Sequence, residues 1–227
     1  MNVRQHISTG KYGVTASILS LTLFSLFIVP LFPFAWMNRM YPLSFSCIFL
    51  SAAYSVRGKH SLLFRASLLI AILTVISSFV AEGSYKSATR IMQFVFFIML
   101  VVALISQIYA SPEVSGKVIM DAVAAYLLLG IAFGITVIIA DSLVDGAYSQ
   151  PLSSKNAGII KPDIRDALYY AFVTYTTTGY GDITPRHPLT KSLAMLISIC
   201  GQLYVAIILA LLVGKFASRK PEPTKNT

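Results

Sequence analysis

A polar strip containing two glycines lies between two long apolar segments, and this arrangement constrains the fold more than any other feature. Residues 118–140 and 189–216 are long and hydrophobic enough to cross a bilayer, whereas residues 174–182 read Thr-Tyr-Thr-Thr-Thr-Gly-Tyr-Gly-Asp. Non-helical backbone at membrane depth is tolerated only where protein buries it or where it lines a water-filled path. We therefore expect this segment, called the polar strip below, to line such a path.

The residues of the polar strip suit the binding of dehydrated cations. Thr177 and Thr178 are β-branched and favour extended backbone, while Gly179 and Gly181 can adopt backbone angles closed to other residues. Successive carbonyl groups can then turn to one side, and five extended residues span roughly 16 Å. Rings of carbonyl oxygens, with a ring of threonine hydroxyls, can replace the water shell of a monovalent cation.

An amphipathic stretch directly before the polar strip predicts a helix too short to cross the membrane. Asp163 is the expected N-cap, and Asp166 three residues later forms a capping box with Asp in place of Glu. A helix over residues 164–176 would be roughly 20 Å long, about two-thirds of the hydrocarbon core. Its C-terminal end would face the membrane interior with partial negative charge, which favours a cation there.

The polar strip resembles the signature of the tetrameric potassium channel family, in its six-segment, one-pore-loop, bacterial-like form. The matching positions are Thr174, Thr176, Thr177, Gly179, Tyr180, Gly181 and Asp182. The resemblance implies that K⁺ is coordinated by Thr177, Thr178, Gly179, Tyr180 and Gly181. It also implies a supporting role for Thr174, Thr176, Asp182, Tyr169 and Tyr170. K⁺ would be the permeant ion, and no organic cofactor is expected.

Four positions leave alternatives open. Thr178 stands where the family more often has Val or Ile, and its hydroxyl is expected to point away from the pore and to tune stability or selectivity. Tyr169 and Tyr170 match positions at which relatives carry aromatic rings packed around the filter, and interfacial anchoring is the alternative. Gly201 matches, by resemblance, the hinge of an inner gate, and close helix packing is the alternative.

Six apolar segments predict an all-α membrane protein with six transmembrane helices, and with a re-entrant pore helix and selectivity filter between the last two. The segments are residues 14–37, 42–56, 62–80, 91–109, 118–140 and 189–216. Pro30 and Pro33 are expected to kink the first segment or to end it early, and residues 38–41 are expected to form a turn. The segment 42–56 is short for a span.

Three regions follow from this pattern. Residues 1–116 would form a four-helix N-terminal region, residues 117–217 a pore domain, and residues 218–227 a short cytoplasmic tail. The polar loop 141–161 is expected to form an outer turret. The fourth segment carries Arg90 at its start and no further Lys or Arg through residue 109, so steep voltage sensing is not expected.

Charge and composition agree with a membrane location. The chain is 56% hydrophobic and 12% charged, with a net charge of +9, and its basic residues cluster at segment ends. Such clusters indicate topology and contact with anionic lipid, not nucleic-acid binding. Outside the pore loop, ten basic residues fall on the inner side and three on the outer side if the N-terminus is inside. We expect a multi-pass protein of the cell (plasma) inner membrane with both termini cytoplasmic.

The scattered reactive side chains do not predict a metal site or an enzyme. Cys47 and Cys200 both lie within apolar segments, the three histidines are far apart in the sequence, and no His, Glu or Asp cluster falls within the spans. The expected function is passive, potassium-selective conduction by a homotetramer, because a ring of oxygens needs four strips. A non-selective monovalent cation channel, which Tyr180 disfavours by resemblance, and a potassium transporter subunit are the alternatives.

Overall fold

The computed structural model describes residues 3–56, 68–76, 84–149 and 163–217, and this part of the chain is almost entirely helical. The helices are α1 (Val3–Leu23), α2 (Phe34–Val56), α3 (described over residues 68–76), α4 (Ser84–Ala110), α5 (Gly116–Leu143), α6 (Ile164–Tyr175) and α7 (Pro188–Ala217). Two short antiparallel strands, β1 (Tyr148–Ser149) and β2 (Thr184–Pro185), pair Tyr148 with Pro185 and Ser149 with Thr184.

Four helical segments of the described chain are long and apolar enough to cross a membrane. They are Tyr12–Leu31, Ser87–Ala110, Gly116–Leu143 and Pro188–Ala217. These four correspond to the first, fourth, fifth and sixth predicted segments, so the described chain is mostly helical and has the apolar spans of a multi-pass membrane protein. The predicted segment 42–56 is helical as part of α2, and the predicted segment 62–80 lies partly outside the described residues.

The first apolar segment ends early at its prolines, as predicted, but the turn predicted after it is wrong. Beyond α1 the helix changes to one π-helical turn, Phe24–Ile28, and one 3₁₀ turn, Val29–Leu31, and Phe32 is extended with φ −80° and ψ 154°. The residue before a proline is biased towards this extended conformation, so Pro33 accounts for the break. Residues 38–41 form no turn, because α2 already starts at Phe34 and runs through them.

Helix α5 lies at the centre of the described bundle. It contacts α1, α4, α6 and α7, and 61% of its membrane-spanning window is buried. Small residues make this possible, because Ala124, Ala125 and Ala132 are fully buried and let neighbouring backbones approach. In the same buried core, aromatic rings join α2 to α4, where the Phe49 ring lies 4.6 Å from the Phe96 ring and 5.0 Å from the Phe97 ring.

Helix α7 is the least covered of the four spans. Only 17% of its apolar window is buried, compared with 61% for α5. Its exposed apolar side chains include Met195, Leu196, Ile199, Leu203, Ile207 and Leu209. An apolar face of this extent is covered by lipid or by another protein surface.

The short helix α6 packs between α5 and α7. Its 12 residues would be about 18 Å long, too short to cross a hydrocarbon core. The predicted outer turret lies mostly outside the described residues, and the predicted tail, residues 218–227, lies outside them entirely.

Candidate functional site

The N-terminal end of α6 is capped as the sequence predicted. Asp163 has extended backbone, and its Oδ1 accepts a hydrogen bond of 2.9 Å from the backbone N–H of Asp166. This contact satisfies one of the free donors of the first helical turn, and both carboxylates lie at the positive end of the helix dipole. Helix α6 ends at Tyr175, one residue before the predicted boundary, directly before the exposed part of the polar strip.

Two glycines on α5 form the surface on which α6 rests. A Cβ on Gly130 would lie 2.3 Å from the Phe172 ring, and a Cβ on Gly134 would lie 2.5 Å from Leu168 Cδ2. Leu168 and Phe172 are four residues apart and therefore share one face of α6. The spacing of the two glycines is the GxxxG pattern that lets membrane helices pack closely. The position of α6 depends on the absence of these side chains.

The polar strip begins with a helix C-cap of the Schellman type. The N–H of Thr178 donates to the carbonyl of Val173 at 3.0 Å, and the N–H of Thr177 donates to the carbonyl of Thr174 at 3.0 Å. Thr177 therefore occupies the left-handed position of the motif, which glycine usually fills, and its φ is 60°. The extended backbone predicted for Thr177 is wrong, because the end of α6 requires the left-handed conformation at this residue.

Positive φ recurs at alternate residues along the strip. Gly179 has φ 58° and Gly181 has φ 77°, and Thr177 is the one non-glycine residue with positive φ in the described chain. Both glycines therefore adopt backbone angles that are closed to most other residues, as the sequence predicted. A left-handed β-branched residue costs on the order of 1–3 kcal/mol, and such strained residues concentrate at functional sites.

Two threonine side chains connect the strip to the end of α6. Thr176 Oγ1 donates to the carbonyl of Phe172 at 2.8 Å, so the hydroxyl of Thr178, 2.9 Å away, acts as donor to Thr176 Oγ1. The Thr178 hydroxyl thus bonds back towards α6, and its expected orientation away from a pore stays a prediction. In the single chain, every residue from 176 to 182 is exposed, and Tyr180 is 71% exposed.

A hydrogen bond between α6 and the far end of the strip holds Asp182 in place. The Tyr169 hydroxyl donates to Asp182 Oδ2 at 2.6 Å, and the N–H of Ile183 donates to Asp182 Oδ1 at 3.0 Å. The hydrogen bond to Asp182 raises the pKa of Tyr169 to about 12, so the phenol remains a donor at physiological pH. The structure thus brings together two of the predicted supporting residues.

The second predicted tyrosine, Tyr170, is buried and contacts the strand β1. Tyr170 is 5% exposed, and its ring lies 5.1 Å from that of Tyr148 in an edge-to-face arrangement. Interfacial anchoring does not describe this residue. The residue before β1 fixes the chain after the strip, because the carbonyl of Ala147 accepts from the N–H of Arg186 at 2.9 Å and from Thr190 Oγ1 at 3.0 Å.

Gly201 lies where α7 touches the end of α6. A Cβ on this residue would lie 2.0 Å from the carbonyl oxygen of Tyr175 and 2.8 Å from its Cδ2. The Tyr175 ring is fully buried and packs against the rings of Tyr126 and Phe133. The contact with Tyr175 supports close helix packing as the role of Gly201. The alternative, a gating hinge, stays a prediction.

One residue after Gly201, α7 places an amide against the start of the strip. Gln202 Nε2 lies 3.4 Å from Thr177 Oγ1, in donor geometry. Gln202 was not among the residues predicted from the sequence. The sequence feature that could have identified it is a carboxamide side chain inside an apolar span, where polar side chains are costly and usually functional.

A lysine joins the other end of α7 to the end of α4. Lys215 Nζ donates to the backbone carbonyls of Ile108 at 2.6 Å, Tyr109 at 2.8 Å and Ser111 at 2.5 Å. These carbonyls lie at the C-terminal end of α4, where no intrahelical N–H is available to them. The sequence placed Lys215 only as an inner-side charge.

The same end of the bundle contains a buried carboxylate that the sequence analysis did not consider. Asp121 on α5 is 1% exposed, forms an ion pair with Lys117, and accepts from Thr15 Oγ1 of α1 at 2.8 Å. Lys117 also donates to Gln107 of α4 at 3.1 Å. This network ties α1, α4 and α5 together. Its signal was the i,i+4 spacing of Lys117 and Asp121.

Comparisons with known proteins match part of the chain. The family model described as "Ion channel" matches residues 122–218. Two pore potassium channel c of Oryza sativa subsp. japonica is 35% identical over 89 residues, which cover 39% of this chain and 18% of that protein. Potassium voltage-gated channel subfamily A member 6 of Mus musculus is 32% identical over 104 residues, which cover 46% of this chain and 19% of that protein.

A third relative, two pore potassium channel a of Oryza sativa subsp. japonica, is 43% identical over 47 residues, or 21% of this chain and 14% of that protein. The chain therefore matches less than a fifth of each relative's length. No solved structure is significantly similar to the chain. The segment matched by the family model contains α6, the polar strip and α7. The family model and the printed names of these relatives describe ion channels, and this chain is similar to them over the matched residues alone.

Proposed function

We propose that this chain is a potassium-selective channel, in which four copies surround one central path and conduct K⁺ passively across the membrane. The observation that carries the proposal is the polar strip, which is exposed from residue 176 to 182 and has positive φ at alternate residues. Alternation of this kind allows neighbouring peptide groups to present their oxygens to the same side, as a dehydrated cation requires.

The exposure of the strip in one chain is the reason for proposing a tetramer. Unsatisfied carbonyls that face lipid cost several kcal/mol each, so an isolated chain is not a plausible membrane species. Each chain supplies one strip, and the sparsely covered α7 offers an apolar face for neighbouring copies. Four copies about one axis would turn the strips towards each other.

Within this assembly the proposed ligands of K⁺ are oxygens of the strip. Thr177 would supply its hydroxyl and its carbonyl, and Thr178, Gly179, Tyr180 and Gly181 would supply backbone oxygens. Thr174 and Thr176 lie at the end of α6, and Tyr169 and Asp182 hold the opposite end of the strip. The C-terminal end of α6 would add a favourable potential for a cation approaching the filter.

The proposed setting is the cell (plasma) inner membrane, with both termini on the cytoplasmic side. Residues 117–217 would form the pore domain, and residues 1–116 would surround it. Anionic lipids are the expected partners of the basic residues at segment ends. The relatives' names describe potassium channels, and the segment that the ion channel family model matches, residues 122–218, overlaps the proposed pore domain.

The test is ion flux through purified protein reconstituted in liposomes, with K⁺ and Na⁺ gradients compared in the same preparation. We expect K⁺ flux to exceed Na⁺ flux in the wild type. Tyr180→Asp should reduce this preference, because a charged side chain replaces the ring beside the backbone ligands. Tyr180→Phe is the matched control and should retain the preference, because backbone oxygens do not depend on the phenol.

Two outcomes would contradict the proposal. Equal K⁺ and Na⁺ flux in the wild type would instead support a non-selective cation channel. An unchanged K⁺ preference in Tyr180→Asp would show that the strip is not the filter. The stoichiometry can be tested separately by native mass spectrometry, in which any assembly other than four copies would exclude the proposed ring.

A further inference from the structure

We propose that Gln202 is a positioning residue for the innermost cation site, and that it acts through the hydroxyl of Thr177. This inference rests on the proposed channel function and adds a residue of α7 to the filter. Its starting point is the contact between Gln202 Nε2 and Thr177 Oγ1, 3.4 Å apart and 25 residues apart in the sequence.

The packing of α7 on α6 accounts for the position of Gln202. Gly201 meets the carbonyl of Tyr175 so closely that even a methyl group does not fit. Tyr175 is the last residue of α6, and Thr177 follows two residues later. The residue after Gly201 is therefore held beside the first residue of the strip that has positive φ.

The chemistry of the two groups fixes the direction of the hydrogen bond. An amide nitrogen only donates, whereas a hydroxyl has one donor and two acceptor lone pairs. With the amide on one lone pair of Thr177 Oγ1, the second lone pair remains available to a cation. The contact also restrains the rotation of the hydroxyl, and at 3.4 Å it is a weak hydrogen bond.

The location of Gln202 supports a functional role. It is exposed in the single chain and lies within the apolar helix α7. A carboxamide facing hydrocarbon would be costly, whereas one facing a water-filled cavity would not. Four copies would place four such amides at the Thr177 end of the filter, one beside each Thr177.

The experiment measures K⁺ dependence in the reconstituted full-length protein. The readouts are the K⁺ concentration that half-saturates single-channel conductance and the concentration that half-saturates thermal stabilisation of the purified protein. Gln202→Met keeps the size and removes the donor, and we expect both concentrations to rise about three- to tenfold, the range of one net hydrogen bond. Gln202→Asn shortens the side chain and should behave in the same way.

Gln202→Glu should shift both concentrations in the opposite direction. A carboxylate would accept from the Thr177 hydroxyl, so that both lone pairs face the cation, and it would add negative charge nearby. Opposite signs for the Met and Glu variants separate positioning from general damage to the fold, which would shift both variants alike. Leu203→Met is the matched control on the next residue of α7 and should leave both concentrations unchanged.

A double mutant tests the route through Thr177. In a Thr177→Val background the effect of Gln202→Met should vanish, because the accepting hydroxyl is gone. The inference is overturned if Gln202→Met leaves both concentrations unchanged, if its effect persists in the Thr177→Val background, or if the Met and Glu variants shift alike. The K⁺ preference of the wild type is measured first, so a failure of the channel function itself is recognised independently.

Discussion

At the scale of single residues, the strip combines a strained threonine with two glycines. Thr177 has φ 60° because it closes the C-cap of α6, a position that glycine would fill without strain. Its hydroxyl is also the side-chain oxygen that we propose for the innermost site. The C-cap of α6 sets the left-handed conformation, and the proposed function gives a reason for threonine at a position that glycine would fill without strain.

Replacing Thr177 by glycine should therefore relieve the backbone strain and at the same time weaken K⁺ binding. Thr177→Gly should raise the thermal stability of the purified protein relative to Thr177→Ala by about 1 kcal/mol, because only glycine tolerates the left-handed conformation without cost. Both variants lack the hydroxyl and should require more K⁺ for half-saturation. Thermal unfolding measured in the same detergent and salt gives the comparison. Equal stability of the Gly and Ala variants would argue against the left-handed cap.

At the scale of elements, α6 is positioned by glycines on both of its neighbours. Gly130 and Gly134 of α5 contact one face of α6, and Gly201 of α7 contacts its last residue. At these three positions glycine takes the place of larger side chains, which would push α6 away. The close approach of α6 therefore explains why α5 and α7 carry glycine at these three positions.

Gly201→Ala should be strongly destabilising. The added methyl would meet a backbone carbonyl at 2.0 Å, which cannot move without displacing the end of α6. We expect a loss of about 1–3 kcal/mol, the range for overpacking, together with loss of assembled protein in size-exclusion chromatography. Gly13→Ala is the matched control, because the added Cβ has no atom within 4 Å apart from its chain neighbours and the backbone of its own helix. Normal stability with altered open probability would favour the hinge.

Lys215 is expected to hold the end of α7 to the end of α4. Lys215→Met removes a charged donor from three carbonyls and should cost on the order of 2 kcal/mol of thermal stability. Because the lost contact joins α7 to α4, open probability should change while K⁺ preference does not. Lys191→Met, at the other end of α7, is the matched control. Unchanged stability and gating in Lys215→Met would show that this contact does not couple the helices.

At the scale of the whole molecule, the four spans of the described chain include no helix with the charge pattern of a voltage sensor. Helix α4 carries Lys86 and Arg90 in its first two turns and no basic residue beyond them. Asp121, the buried acid of α5, is already paired with Lys117. These charges are thus placed near the ends of the described helices.

Open probability should therefore depend weakly on voltage. One charge moved across the full field is worth about 2.3 kcal/mol per 100 mV, and no row of basic residues is available to move in α4. We expect less than a tenfold change in open probability over about 100 mV in planar-bilayer recordings. A steep conductance–voltage relation would assign voltage sensing to residues outside α4.

The sequence by itself determined that the described chain is mostly helical with apolar spans, and it singled out the polar strip as the candidate site. Long apolar segments have few structural solutions in a bilayer, and a polar strip with glycines between two of them is informative without any coordinates. The N-cap at Asp163 was also predictable, because capping depends on residues three positions apart in the chain. Local rules are sufficient where cause and effect are close in sequence.

Only the tertiary structure decided which residues meet. The contact of Gly201 with Tyr175, the amide of Gln202 beside Thr177 and the three carbonyls bound by Lys215 join positions 25 to 107 residues apart, which no sequence period relates. The left-handed conformation of Thr177 opposes its local preference, because the end of α6 requires it. Contacts between distant segments depend on packing, and packing is a property of the folded chain as a whole.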